Sequence, residues 1–130
     1  MIITLKNKHT LQVEDFLFNC CIGQNGLTKR KIEEDKKTPK GNFGLENLYY
    51  RKDRLDKPQT SLKCIEISKN MGWCHDVRYP KKYNQLVNTQ NKFKCEKLKR
   101  YEYKYDIFIP IKYNFINHKF VICSAIFIHL

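Results

Sequence analysis

Tyr105-Asp-Ile-Phe-Ile-Pro-Ile111 carries apolar side chains almost continuously, and a second apolar run covers Phe120–Leu130. Both runs are rich in Ile and Phe, residues that favour strands. Continuous apolar runs of this length are typical of strands buried on both faces, although periodicity alone leaves a buried helix open. We therefore interpret both runs as buried strands, which predicts a mainly β fold.

Shorter β-prone runs and two long polar regions make up much of the remaining chain. Gln24–Gly41 and Lys69–Lys82 contain the glycines, prolines and charges that are typical of loops. Tyr83–Val87 is a candidate short helix. One β-sandwich or barrel-like domain over residues 1–130, with long loops, fits this pattern. Further strands are predicted at Ile2–Leu5, Leu11–Val13, Phe16–Ile22 and Cys64–Ile67, the first two as a hairpin.

The net charge of +12 favours anionic partners without selecting one. The 25 basic residues comprise 20 Lys and 5 Arg, and the lysines are scattered from Lys6 to Lys119. Because arginine is the favoured reader of base edges, this composition argues against sequence-specific nucleic-acid binding. Cell-wall polymer, a lipid surface and nonspecific nucleic-acid binding fit the charge equally well.

The six cysteines form no CxxC pair and match no zinc spacing, so we expect no metal and no cofactor. Their simplest interpretation is as small buried hydrophobic residues in a reducing compartment. The longest apolar stretch, Phe120–Leu130, is well short of the roughly 20 residues that a membrane span needs. Met1-Ile-Ile-Thr-Leu5 lacks a charged segment before a long apolar one. We therefore expect no signal peptide and a cytoplasmic location for the chain as written.

Two loop segments carry candidate chemistry. In Asp35-Lys-Lys-Thr-Pro-Lys-Gly-Asn-Phe43, proline favours an extended Thr38. This segment is either a functional element or a rigid turn that leads into a strand beginning at Phe43. In Asn70-Met-Gly-Trp-Cys-His-Asp76, Trp73 either closes the core or forms one wall of a binding cleft.

The histidines and cysteines suggest nucleophile–base pairs, but local geometry argues against two of them. Cys74 and His75 are adjacent, and neighbouring side chains on an extended chain point to opposite sides. Cys123 and His129 would share one face of a strand, yet lie roughly 20 Å apart along it. His129 itself is either a core residue or a deliberately placed base or ligand.

These segments, in this order, resemble the catalytic domain of L,D-transpeptidases of the YkuD type. The resemblance runs from near Met1 to Leu130. It implies a β-sandwich-like fold, in which Phe120–Leu130 is a central strand, and acyl transfer between peptidoglycan stem peptides through a cysteine thioester. The resembling stretches are Ile22-Gly23, Asn25-Gly26, Asp35–Phe43, Met71–Asp76, Tyr83-Asn84, Tyr105-Asp106, Asn114 and Ser124–His129.

The resemblance also implies roles for single residues. His129 matches the family histidine and is the candidate base. The family nucleophile lies in a later Ser/Thr-x-Gly-Cys element, which this sequence does not contain. We therefore expect a domain truncated at its C-terminus, before the catalytic cysteine, and without transferase activity. The implied substrate-binding residues are Trp73, Asp76, Tyr83, Asn84 and Ser124.

Two alternatives stay open beside the transpeptidase interpretation. A non-catalytic module would hold cell-wall peptide around Trp73 and His129 and would bind it without turnover. A basic protein that binds nucleic acid nonspecifically would lose affinity steeply with salt. The family function places the protein in the periplasm or cell envelope, whereas the visible N-terminus offers no route there.

Overall fold

The computed structural model describes residues 1–115 and 123–129, and the described part is mainly β. The helical segment within it is a single 3-10 turn over Tyr103–Tyr105. The mainly β prediction is therefore confirmed. The strands are β1 (Ile3–Asn7), β2 (Thr10–Val13), β3 (Phe16–Asn19), β4 (Leu27–Thr28), β5 (Thr38–Pro39), β6 (Leu48–Tyr50), β7 (Cys64–Glu66), β8 (Met71–Cys74), β9 (Leu86–Asn88), β10 (Cys95–Lys97), β11 (Ile107–Pro110) and β12 (Phe127–His129).

Met1–Gly41 forms one compact unit. Its antiparallel sheet has the order β1-β2-β3, in which Ile3 pairs with Val13 and Val13 with Phe16. The hairpin prediction is thus confirmed. The third strand ends at Asn19, three residues before the predicted end, and the region predicted as a loop holds the short parallel pair of β4 and β5.

Asn42–Leu130 forms the second compact unit, which contains two sheets. The four-stranded sheet has the order β12-β11-β6-β7, with β6 and β7 parallel and the other pairs antiparallel. The three-stranded sheet has the order β10-β8-β9 and is antiparallel throughout. Both sheets contribute side chains to one core.

That core is built largely from aromatic rings. Tyr49 of β6 stacks on Phe108 of β11 with ring centroids 5.0 Å apart. Trp73 of β8 meets Tyr49 and Phe127 edge-on at 6.3 and 5.3 Å. Such edge-to-face contacts are favourable beyond the apolar area that they bury. Trp73 therefore closes the core from the side of the three-stranded sheet, and the remaining buried members of the cluster are Ile67, Leu98 and Tyr105.

Three local predictions for the second unit are wrong. Met71–Cys74, predicted within a loop, is the central strand β8, because its pairing partners lie far along the chain in β9 and β10. The helix predicted at Tyr83–Val87 does not form, since Asn84 has a φ of 56° and Leu86 pairs with Trp73. No strand begins at Phe43; Leu45 makes an isolated bridge and β6 starts at Leu48.

The two apolar runs that indicated the fold have different outcomes. Within Tyr105–Ile111, the predicted strand is confirmed as β11, which lies between β12 and β6. Within Phe120–Leu130, the described strand covers Phe127–His129 and pairs with β11. Among the strands of residues 1–115 and 123–129, it lies at the edge of the sheet and not at its centre. Positive φ values at Cys123 and Ala125 interrupt the extended backbone before it. The predicted strand residues 120–122 and 130 lie outside the described part.

Candidate functional site

Asn84 is the centre of a buried hydrogen-bond network. Its side chain is 1% exposed, and its Oδ1 accepts the indole N–H of Trp73 at 2.9 Å and the backbone N–H of Ala125 at 3.0 Å. Its Nδ2 donates to the carbonyl oxygens of Tyr113 at 2.9 Å and Asn114 at 3.2 Å. An asparagine amide has two donor hydrogens and two acceptor lone pairs, so these four bonds use its full capacity. One side chain thereby connects β8 to two distant segments.

Left-handed and related backbone conformations concentrate around this network. Asn84, Asn114 and Ala125 have φ values of 56°, 57° and 54°, and Cys123 has a φ of 123°. Non-glycine residues rarely adopt these conformations and persist in them where surrounding contacts compensate the cost, often at functional sites. Asn114 contributes such a contact, because its Nδ2 donates to the carbonyl oxygen of Cys123 at 3.0 Å. The network holds the backbone of three loops in specific, unfavourable geometries.

Asp76 is buried at the end of β8 and is held by an arginine fork. Arg78 donates to its two carboxylate oxygens at 2.9 and 2.7 Å, and the backbone N–H of Lys94 donates at 2.9 Å. The hydrogen bonds from Arg78 hold the pKa of Asp76 well below its ordinary value, although burial opposes this. Asp76 therefore stays ionised and joins the loops that follow β8 and β9.

The residues implied as substrate-binding all lie beneath the surface. Trp73, Asp76, Tyr83 and Asn84 are only 1–2% exposed, and Ser124 is 6% exposed. Trp73, Asp76 and Asn84 direct their polar atoms to protein partners. The structure brings Trp73 and Asn84 into direct contact and places them in a supporting framework, while their role toward a substrate stays a prediction.

His129, the candidate base, lies at the surface on edge strand β12. Its ring stacks on the ring of Tyr105 with centroids 5.9 Å apart and planes 8° from parallel. The hydroxyl of Tyr105 donates to Glu96 at 2.5 Å, and burial together with this hydrogen bond raises the pKa of Tyr105 above its ordinary value. The neutral phenol ring of Tyr105 therefore packs against one face of the exposed His129 ring.

Neither buried cysteine of the second unit is arranged as a nucleophile. Cys74 is fully buried, and burial raises the pKa of its thiol, which disfavours the reactive thiolate. Cys123 is 6% exposed, and its thiol donates to the carbonyl oxygen of Ser124 at 3.1 Å. Both positions are typical of structural cysteines.

The first unit brings two of the resembling stretches together. The backbone N–H of Gly23 donates to the hydroxyl of Thr38 at 2.8 Å, and that of Asn25 donates to the carbonyl oxygen of Lys36 at 3.0 Å. The backbone N–H of Thr38 in turn donates to the carbonyl oxygen of Gly26 at 2.9 Å. Gly23–Gly26 and Lys36–Thr38, separate in sequence, are therefore hydrogen-bonded neighbours.

Asp35 organises the turn that precedes Thr38. Its carboxylate accepts hydrogen bonds from Lys31 Nζ at 2.6 Å and from the backbone N–H groups of Ile32 and Lys37 at 3.0 and 2.8 Å. Burial raises the pKa of Asp35, but the bonds from Lys31 and from these backbone groups outweigh it and lower the pKa to about 2.

The lowered pKa of Asp35 predicts a loss of stability in acid. A depressed folded-state pKa contributes stability that is fully present above the unfolded value of 3.8 and is lost as the pH falls through about 2. The contribution is about 2 kcal/mol for a shift of this size. We expect Asp35→Asn to lower the free energy of unfolding of the first unit at pH 6 and to flatten its pH dependence between pH 4 and pH 2, as measured by urea unfolding.

The exposed Asp15 offers a matched control in the same unit. Asp15→Asn removes the same charge but leaves the hydrogen bonds to Asp35 in place. The free energy of unfolding of this variant should therefore still fall in acid. If the free energy of unfolding of Asp35→Asn fell as steeply between pH 4 and pH 2 as that of the unchanged protein, the stabilising role assigned to ionised Asp35 would be contradicted.

The role of the arginines was not predicted from the sequence. Four of the five pair with carboxylates, and Arg51, at 5% exposed, is itself buried. In a chain that uses lysine for most of its positive charge, an arginine indicates a position that needs a planar fork of donors. The scarcity of arginine in this sequence could therefore have indicated these ion-paired positions. The pairs are Arg51–Asp53, Arg54–Asp106, Arg78–Asp76 and Arg100–Glu96.

Comparison with protein-family models, with curated proteins and with solved structures finds no match. In residues 1–115 and 123–129, no group of three or more His, Cys, Asp or Glu side chains is arranged to hold a metal ion. The same residues include no helix that is long and apolar enough to cross a membrane.

Proposed function

We propose that this chain is an L,D-transpeptidase-type domain that binds peptidoglycan stem peptides. The proposal starts from the sequence resemblance, and one observation carries it further. Four stretches of that resemblance are separate in the sequence, and all of them meet at the hydrogen bonds of Asn84: Met71–Asp76, Tyr83-Asn84, Asn114 and the segment beginning at Ser124. Motifs that converge on one buried residue are expected of a built site, whereas a chance resemblance carries no such expectation.

His129, the candidate base, is exposed on the strand beside this framework. It extends from β12, whose neighbour Phe127 packs on Trp73, so the network and the candidate base share one support. An imidazole at this position can accept a proton or a hydrogen bond from a bound peptide. In the proposed family reaction, it would take the proton of a cysteine thiol. The thiolate would attack the carbonyl before a terminal D-amino acid, forming a thioester and releasing that amino acid, whose amine takes the proton.

The 130 residues themselves are proposed to bind without turnover. Acyl transfer through a thioester needs an accessible thiolate near the base. Cys74 and Cys123 are buried, and none of the six cysteines stands in a Ser/Thr-x-Gly-Cys element. A cell-wall peptide-binding activity is therefore the function that this chain supports best.

The test compares two synthetic stem tetrapeptides that differ only in the chirality of the last residue. Titration calorimetry should give saturable binding of the peptide that ends in a D-amino acid and weaker binding of its L-ended counterpart. His129→Ala should weaken binding of the D-ended peptide by about tenfold, which corresponds to the loss of one hydrogen bond. Mass spectrometry should detect no release of the terminal residue.

A control variant separates the role of His129 from general damage. His9 is exposed in the first unit, and His9→Ala should leave peptide binding unchanged. Equal affinity for both peptides, or no saturable binding to a folded chain, would refute the proposed function.

A further inference from the structure

Two loops meet beside the C-terminal end of β8, which the second loop reaches at its last residues, Phe93 and Lys94. The first loop, His75–Gln85, follows β8, and the second, Thr89–Lys94, follows β9. The rings of Tyr79 and Phe93 meet edge-on at 4.8 Å, and the backbone N–H of His75 donates to the carbonyl oxygen of Lys94 at 3.0 Å. These two segments are called the loop pair below.

The loop pair has a strongly positive surface. Between Val77 and Cys95 the sequence contains five basic residues and no Asp or Glu. All five are exposed, and the ion pairs within the described residues involve none of the four lysines. The nearby carboxylate of Asp76 is buried and occupied by Arg78. The five residues are Arg78, Lys81, Lys82, Lys92 and Lys94.

Apolar side chains project among these charges. Val77 is 54% exposed and Tyr79 is 41% exposed, on either side of Arg78. Their positions are fixed by the turn, because the backbone N–H of Tyr79 donates to the carbonyl oxygen of Asp76 at 3.1 Å and that of Lys82 donates to Tyr79 at 2.9 Å. The first loop therefore presents a preformed tip that combines apolar, aromatic and cationic groups.

We propose that the loop pair docks the protein on an anionic lipid surface. The lysines would lie at the level of the negative headgroups, where each basic residue adds to the attraction. Val77 and Tyr79 would enter the interface between headgroups and acyl chains, which favours apolar groups and amphipathic rings. A nucleic acid would use the same cations but would gain nothing from the aliphatic side chain of Val77. The inference rests on the loop pair alone and is independent of the proposed peptide binding.

Vesicle co-sedimentation of the full chain tests this proposal. The protein should bind vesicles of phosphatidylcholine with about one third phosphatidylglycerol, but not vesicles of phosphatidylcholine alone. Binding should be lost at about 1 M salt, where charges are screened within a few ångströms. The quadruple variant Lys81→Ala, Lys82→Ala, Lys92→Ala and Lys94→Ala should bind at least about a hundredfold more weakly, at roughly fivefold for each charge.

A matched quadruple variant controls for net charge. Replacing four exposed lysines outside the loop pair by alanine gives the same total charge and should weaken vesicle binding by less than about fivefold. If the two quadruple variants lost the same amount of vesicle affinity, the proposal would be overturned, because attraction to the vesicles would then depend on the overall charge of the protein. The control positions are Lys6, Lys8, Lys57 and Lys69.

The variant Val77→Ser distinguishes the lipid from a nucleic-acid partner. It keeps every charge, so it should weaken vesicle binding by about fivefold through lost apolar burial and leave binding to a single-stranded oligonucleotide unchanged. No effect on vesicle binding, or tighter binding of the oligonucleotide than of the vesicles at equal salt, would overturn the lipid assignment. Urea unfolding of each variant should show that the loop changes leave the core intact.

Discussion

Replacing Asn84 by alanine should destabilise the second unit by about 4 kcal/mol or more. The substitution leaves the buried indole N–H of Trp73, the N–H of Ala125 and the carbonyl oxygen of Tyr113 without their Asn84 partner. Each buried group left unsatisfied costs about 1–3 kcal/mol. Alanine also tolerates the φ of 56° at this position less well than asparagine does. Urea unfolding, followed by the fluorescence of the single tryptophan, measures the loss.

Two further variants separate the causes of that loss. Asn84→Gly removes the side chain but suits the left-handed backbone, so it should be more stable than Asn84→Ala by about 1 kcal/mol. Trp73→Phe, followed by circular dichroism, should cost about 2 kcal/mol or more, because phenylalanine lacks the indole N–H and fills less of the core. The double variant should lose less free energy of unfolding than the sum of the losses of Asn84→Ala and Trp73→Phe, because both substitutions remove the same hydrogen bond. Full additivity would show that the bond contributes little.

Replacing Gly23 by alanine should disrupt the packing of the first unit, at a cost of about 3 kcal/mol or more. A Cβ at this position would lie 2.5 Å from the carbonyl oxygen of Lys36 and 2.8 Å from the carbonyl carbon of Lys37. Both atoms belong to the backbone, so relief requires movement of the segment that bonds to Gly23 and Asn25. Hydrogen exchange should show faster exchange at the amides of Asn25 and Thr38.

Gly26 provides a matched glycine in the same segment. Its φ is +83°, and a Cβ there would meet nothing within 4 Å. Gly26→Ala therefore tests backbone conformation alone and should cost about 1 kcal/mol. If both variants had the same small effect, the close approach of Gly23 to Lys36 would not be a feature of the protein in solution.

The candidate site residues were proposed from the sequence, but their environment was not predictable from it. Trp73 offered two interpretations, core or cleft wall, and its buried edge-on contacts place it in the core. Asp76 had no visible partner, because nothing in a lysine-rich loop shows that Arg78 folds back onto it. His129 had a core alternative, and the structure places it at the surface, stacked on Tyr105.

The mainly β class, the N-terminal hairpin and strand β11 were determined by the sequence itself. Apolar runs, alternation and turn residues act over a few neighbouring positions, so they can be recognised without knowing the rest of the chain. Strands β8 and β9 escaped recognition because pairing with distant strands stabilises them in spite of weak local signals.

Tertiary structure alone decided which residues form the hydrogen-bond network around Asn84. The hydrogen-bond partners of Asn84 lie 11, 29, 30 and 41 positions away, and no local pattern encodes such separations. In the loop pair, the basic stretch is visible in the sequence, whereas the contact of Tyr79 with Phe93 between its two loops is not. Backbone preference is a property of neighbours in sequence, whereas burial and hydrogen bonding are properties of neighbours in space.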